Sequence, residues 1–383
     1  MRLVADSGLW STGPVTEATP LVAVLEVSGA VLSWTVDDPR GDAAAQITFT
    51  DPALADWLWR VLGEPGHVAV ASALAAVDGV PEQQHSIDLA GVDILPGSMG
   101  HLRKLAIGHW LQRWWPASRQ DGIAGLDRAL LDVEVALLTA GAHGFFGDDT
   151  LDSDVTGLLA PHAADLIAHV AAGDPRAVDL VRAGAGLADE VGLDGLDGGW
   201  PELYAVLDDS RPVLAPPSGH RDDYALAAGT GAVRRGAAPV ARGVASINWG
   251  GVPPAIFDAG ENTVHWSVET AGNAVVAVVR AAVIGPDPAT GIAVQLQSGD
   301  IGGDGALDAG GTATFPLVDA QRRPLTEPAA WDHDWSATSV IIGAQLTEAP
   351  ETRDRVRRWA RARLAHPAAD AFLAEVLAAE SDY

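Results

Sequence analysis

The sequence predicts an α+β protein: a mixed N-terminal unit, a helical middle region and an antiparallel, β-rich C-terminal domain closed by two helices. Three observations lead there. Apolar residues alternate with period two in residues 20–50 and again in 264–346; between about 99 and 210 they recur at helical spacing; compact turn pairs separate the alternating stretches. At 383 residues the chain exceeds one ordinary core. The expected division is 1–98, 99–210, a Pro/Gly/Ala-rich connection at 211–243, and 244–383. With 48% hydrophobic and 20% charged residues there is ample material for these cores.

The elements follow in order. LVAVLEV and AVLSWTV flank Ser28-Gly29 as a hairpin, and QITFT at 46–50 turns Ile47 and Phe49 inward. Asp51 can cap a following helix with Pro52 in its first turn, Leu54, Leu58 and Val61 on one side, and Gly63 as its end. A further strand pair over 67–94 completes the expected N-terminal unit. The segment GHWLQRWWPASRQDG, 108–122, follows; on a helix over 100–114, Trp110 and Trp114 lie one turn apart beside Arg103, Ile107 and Leu111 and read as core anchors. Trp115 precedes Pro116, which draws it to extended backbone and frees it from facing inward.

In GIAGLDRALLDVEVALL, Ile123, Leu126, Leu130, Val133 and Leu137 make one stripe, and Leu131, Val135 and Leu138 a second. Such a helix packs between neighbours, supplied by TGLLAPHAADLIAHVAAG, where Pro161 marks a potential start, and DPRAVDLVRAGAG. Beyond RPVLAPPSG, TVHWSV sets Val264, Trp266 and Val268 inward, Gly272-Asn273 turns the chain, and AVVAVVRAAVI returns. IAVQLQ, ATF and SVIIGAQL extend an antiparallel sheet or sandwich, and helices from Glu351 and Pro367 follow. No internal repeat is present at a fixed period.

Charge narrows the partners. The chain has 24 Lys+Arg against 51 Asp+Glu, a formal −27, so phosphates are repelled and neither nucleic acid nor an anionic membrane is expected as a partner. Lys104 is the single lysine; the Ala, Gly and Arg bias is that of a GC-rich genome or a salt-adapted surface. The absence of cysteine excludes disulfides, thiol catalysis, iron–sulfur clusters and the usual structural zinc sites. MRLVADSGLW lacks a secretory pattern, and the apolar run Ala274 to Ile284, broken by Arg280, falls short of the roughly 20 residues of a membrane helix, so a cytoplasmic protein is expected.

Candidate chemistry is sparse. His101 and His109, and likewise His162 and His169, are separated by about 10–12 Å along a helix, too far for one zinc ion, although Asp165 shares the second stripe. GDDTLDSD at 147–154 offers Asp148, Asp149, Asp152 and Asp154 to a cation but lacks the glycine and closing glutamate of an EF-hand loop; capping of the next helix by Asp152, Ser153 or Asp154 is simpler. GGDGALDAGG at 302–311 touches a calcium-binding repeat but occurs once. Ser98, near His101, lacks a G-x-S-x-G context and reads as a helix cap. WDHDW puts His333 between Asp332 and Asp334, near Ser336, and on a strand these neighbours would point to opposite faces. AGAGLADE has Gly184 and Gly186 but Asp189 where a dinucleotide fold needs a third glycine, and Lys104 lies in no phosphate loop. No metal or cofactor is expected.

One basic segment stands apart. ETRDRVRRWARARLAH carries six arginines around an apolar stripe of Val356, Trp359, Ala360 and Leu364, so the helix is expected to dock by that stripe and show its arginines elsewhere. Arg113, Trp115, Arg119, Arg353, Arg357 and Arg361 are therefore the expected partner-binding residues. The resulting reading is a non-catalytic interaction or adaptor protein whose partner is another protein. A cofactor-independent hydrolase using Ser98, His101, His333 and nearby aspartates is the alternative, and a carbohydrate-binding protein using exposed tryptophans the third. The sequence leaves the oligomeric state open.

Overall fold

A computed structural model describes all residues except 7, 14–18, 39–44, 77–84, 147–150, 194–198, 210–238, 273, 347 and 382–383, with backbone alone at 6, 151–154 and 209. The protein is α+β, and every strand pairing among the described residues is antiparallel. Two compact units cut across chain order. The first comprises Met1–Pro116, Gly122–Leu207 and Ala349–Tyr383; the second comprises Ala117–Asp121 and Asp208–Glu348. The N-terminal and helical stretches thus share one unit, and the last two helices join them instead of the β-rich part.

In the first unit, β1 (Arg2–Asp6), β2 (Leu9–Thr12), β3 (Val22–Val27), β4 (Ala30–Thr35), β5 (Gln46–Phe49) and β6 (Ser86–Asp88) form a six-stranded sheet in the order β3-β4-β5-β2-β1-β6. The Ser28-Gly29 turn joins β3 to β4, with Val27 opposite Ala30 and Gly29 at φ +71°, a backbone region that favours glycine. Asp51 caps as expected, accepting from the Ala53 N–H at 3.0 Å, but on a short 3₁₀ turn, Pro52–Leu54. Gly63, at φ +73°, interrupts α1 (Trp59–Ala75) without ending it, because Pro65 restarts the helix in a first turn that needs no proline N–H. Gly66, Val70 and Leu74 then bury one face at a spacing of four. Among the described residues of 67–94, this helix and the short β6 stand where a strand pair is expected; residues 77–84 lie outside the described residues.

The helices that cover the unit are α2 (Gly100–Trp114), α3 (Arg128–Phe146), α4 (Leu151–Leu159), α5 (Ala163–Ala172), α6 (Pro175–Glu190) and α7 (Trp200–Asp209). Helix α3 buries Leu130 and Val133 of one expected stripe and Leu131 and Val135 of the other among α2, α4 and α6, while Leu137 and Leu138 are half-buried and Ile123 and Leu126 precede the helix. Gly184 of α6 approaches Val133 so closely that an added Cβ would lie 2.6 Å from its methyl, which accounts for this glycine as helix packing, whereas Gly186 is exposed with open space around it. Pro161 sits in a 3₁₀ turn, Ala160–His162, between α4 and α5, so the helical region begins before the proline. By length and composition, α3 and residues 155–172 are apolar enough to cross a membrane; half of that window in α3 is buried inside the unit.

The second unit holds β7 (Ala241–Ala245), β8 (Val264–Ala271), β9 (Ala274–Ala281), β10 (Ala293–Ser298), β11 (Ile301–Ala306), β12 (Thr312–Pro316), a short helix α8 (Glu327–Asp332) and β13 (Ser339–Ile342). Its two sheets run β12-β9-β8-β7 and β11-β10-β13. Val264, Trp266 and Val268 face a common core with Val279, Leu296, Phe315 and Ile342, as the alternation predicts. Phe315 lies over Gly303 and Gly305, so this glycine-rich stretch is a strand whose missing side chains make room for a ring. The Asp308 carboxylate accepts from the Gly310 and Thr312 N–H groups and closes the turn before β12. The chain then returns to the first unit as α9 (Pro350–Ala365) and α10 (Leu373–Glu380), where fully buried Phe372 packs against Gly108.

Candidate functional site

A cleft of about 280 Å³ opens in the first unit between β3 and helices α2 and α3. Leu105 and His109 line it from adjacent turns of α2, and Thr139, Ala142, His143 and Phe146 from one face of α3. β3 contributes the four consecutive residues Val24, Leu25, Glu26 and Val27, so the cleft meets the strand at its edge; a strand's face would offer alternate residues only. That edge is the outer edge of the sheet.

The register identifies the backbone groups exposed there. In this hairpin Val27 and Leu25 exchange hydrogen bonds with Ala30 and Leu32, and the Val36 N–H donates to Leu21 O at 2.9 Å in the same alternation. Val24 and Glu26 therefore turn their peptide groups outward, where no described residue pairs with them. Both side chains are exposed, Val24 by 51%.

A polar chain runs from the cleft into the helical core. The Gln112 amide donates to Asp132 Oδ1 at 2.7 Å, so its oxygen is left to accept from His109 Nδ1 at 3.1 Å, which places the proton on that nitrogen. Asp132 Oδ2 accepts from His162 Nε2 at 2.7 Å, with Asp132 and His162 only 4% and 6% exposed. His143 Nδ1 donates to the Thr139 carbonyl at 2.9 Å. The cleft lining thus carries two imidazoles with committed Nδ1 protons, one carboxylate, and no Lys or Arg. Elsewhere in the first unit, His169 Nε2 meets Asp127 Oδ2 at 2.8 Å. The hydrogen bond to Asp127 raises the His169 pKa, with further help from Asp165; burial pushes Asp127 up, but His169 and the Leu130 and Ala129 N–H groups hold it below the usual value.

The expected partner-binding residues do not form one patch of the first unit. Arg113 stacks 4.4 Å from the Trp114 ring centroid, while Arg119 belongs to the second unit, where its N–H donates to Asp258. Trp115 has the expected extended backbone but turns inward: half-buried, it donates to Ala124 O at 2.8 Å and meets the Trp359 ring edge-on. Trp110 is a core anchor, 3% exposed with its indole N–H on Pro20 O, whereas Trp114 is half-buried. Arg353 and Arg357, expected to face outward, are each 5% exposed, and Arg361 is half-buried. At 353 and 357 these arginines fall within the helical stripe of Val356 and Ala360, so they turn inward with it. Neighbouring arginines find acids of their own unit: Arg355 binds Asp37 at 3.0 and 3.1 Å, and Arg363 binds Glu375 and Asp370.

The nucleophile candidates separate. The Ser98 hydroxyl donates to Leu95 O at 2.7 Å and does not cap α2, whose N-cap is Met99. His101 packs against Phe145, and burial lowers its pKa. Residues 331–337 form the end of α8 and a 3₁₀ turn, not a strand, and Asp334 caps the Ser336 N–H. His333 instead meets Ser298, its Nε2 2.9 Å from Oγ, a contact the sequence reading missed. Ser298 occupies the inward position of β10 after Val294 and Leu296.

His162 and His169 bind different aspartates, and no group of three His, Asp or Glu residues arranged to hold a metal ion occurs among the described residues. Of the acidic stretch, Asp148 and Asp149 lie outside the described residues, and Asp152 and Asp154 fall in the first turn of α4. Comparison of the chain with family models, with curated proteins and with solved structures gives no significant match.

Proposed function

We propose that this is a non-catalytic interaction protein that receives a segment of another protein in the cleft beside β3. One observation carries the reading: an outer strand presents the peptide groups of Val24 and Glu26 to a cleft already walled by Leu105, Ala142 and Phe146. Unpaired strand edges bind other chains unless something blunts them, and β3 has no proline and a single charged residue, Glu26. The cleft, at about 280 Å³, suits a few side chains better than a drug-sized ligand, whose sites run to roughly 300–1,000 Å³.

Site-specific photo-crosslinking in the native lysate tests this. A crosslinker replacing Val24 is expected to trap a discrete partner, a crosslinker at the exposed Val68 of α1 is not, and Ala142→Trp, which fills the cleft, is expected to abolish the product. Equal products from both positions, or a Val24 product indifferent to Ala142→Trp, would refute it.

The Ser298–His333 contact supports a second reading, a cofactor-independent hydrolase, since a nucleophile requires a base within hydrogen-bond reach. Burial weighs against it: Ser298 is 1% exposed, and Asp334 is engaged with Ser336. Labelling of Ser298 by a fluorophosphonate probe would favour the hydrolase over the interaction reading.

A further inference from the structure

We infer that the cleft takes an extended peptide with alternating apolar and basic residues, which adds to β3 as a seventh strand and sets a cation against Glu26. This rests on the interaction reading of the cleft and specifies its occupant.

The backbone argues for an extended guest. Val24 and Glu26 offer outward N–H and C=O groups two residues apart, a repeat of about 6.8 Å that matches the same repeat of another strand. Strand addition takes its affinity from such main-chain bonds and its selectivity from pockets for alternate side chains. Leu25, Val27, Leu105 and Phe146 provide an apolar wall on one side. Glu26 stands exposed on the opposite side of the strand, next to Val24.

Charge then selects the class. The lining holds a carboxylate and no Lys or Arg, and the chain as a whole carries −27. A basic guest is drawn in by both the local group and the long-range field. A second copy of this chain brings −27 of its own and is repelled.

The test uses the full chain and three fluorescein-labelled, end-blocked hexapeptides read by fluorescence anisotropy: Val-Lys repeated three times, Val-Glu repeated three times, and the Val-Lys peptide N-methylated at alternate backbone nitrogens. The Val-Lys peptide is expected to bind saturably, the other two not. Val24→Pro removes an outward N–H that the ladder to β4 does not use, so binding should be lost with an unchanged circular dichroism spectrum. Should that variant fold poorly, the N-methylated peptide asks the same question of the unaltered protein. Glu26→Lys should weaken the Val-Lys peptide by about tenfold and admit the Val-Glu peptide.

Undiminished binding of the N-methylated peptide overturns strand addition, and preference of the unaltered protein for the Val-Glu peptide overturns the basic guest. If no peptide binds while the Val24 crosslink persists and responds to Ala142→Trp, the inference about the occupant is wrong and the cleft reading stands. Loss of both sinks the cleft reading as well.

Discussion

Replacing Asp132 by alanine should loosen the polar chain that runs through Gln112 to His109 of the cleft. The carboxylate accepts from Gln112 Nε2 and His162 Nε2, each at 2.7 Å, and from Arg128 at a longer 3.5 Å. The arginine side chain is 57% exposed and can return to water, so its share is small. His162, at 6% exposed, is enclosed with Asp132, whereas Gln112 is half-buried and can partly turn to water. Leaving the buried His162 donor without a partner costs about 1–3 kcal/mol and the half-buried Gln112 amide adds less, giving about 2–4 kcal/mol. Replacing Asp132 and His162 together by leucine removes donor and acceptor at once and should cost much less than the two single changes combined, a coupling of about 2 kcal/mol or more. Because two compact units need not unfold together, urea titration should be followed by hydrogen exchange in peptides from α3 and α5. A loss below about 1 kcal/mol for Asp132→Ala, or simple additivity with His162, would show that solvent satisfies these groups and that the network does not hold the cleft.

Trp110→Ala should cost about 3–5 kcal/mol, and Trp114→Ala and Trp115→Ala clearly less, since only the first ring is fully buried; equal losses in denaturant titrations would contradict the packing. Gly184→Ala should destabilise by about 1–3 kcal/mol through the close approach to Val133, and Val133→Ala in the same chain should recover part of it; a neutral Gly184→Ala would mean α3 and α6 sit further apart. The His169–Asp127 pair should be most stabilising at mildly acidic pH. The raised histidine pKa gives stability that is full below the ordinary value of 6.5 and fades as pH climbs through the folded value, while the lowered aspartate pKa gives stability present above 3.8 that is lost on acidification below it. Both side chains are partly exposed, so the effect is modest, and His169→Gln should flatten the pH dependence of the thermal midpoint between pH 6 and 8. An unchanged profile would refute the assignment.

The elements that read clearly from sequence are those with one buried face and a local turn. Val264, Trp266 and Val268 declare β8 by alternation, and Ser28-Gly29 declares the β3–β4 hairpin. The course of α1 beyond Gly63 is not legible in the sequence, because a glycine and a proline two residues apart look like a terminus, whereas here they join two helical pieces. Arg353 and Arg357 already lay in the apolar stripe of their helix, but the acids that serve their neighbours, Asp37 and Glu375, are set by tertiary contact. The cleft was invisible for a similar reason: residues 24–27, 105–109 and 139–146 are unremarkable singly and meet only in the fold. Asp132 did leave a local trace, a carboxylate set between two apolar stripes of one helix, and such a group needs a buried partner.

The discontinuity of the first unit bears on how the chain is made. Its sheet and helices through Leu207 leave the ribosome before residues 208–348, and α9 and α10 come only afterwards. At about 5–20 residues per second, that intervening stretch occupies roughly 7–30 s of synthesis. Throughout this interval the seat that Phe372 fills beside Gly108 and Val135 stands empty, and the apolar surface of α3 that α10 covers faces solvent. The first unit is therefore completed only once the last two helices have been made, and a chaperone that shields α3 until then would act at the step where the unit has its least cover.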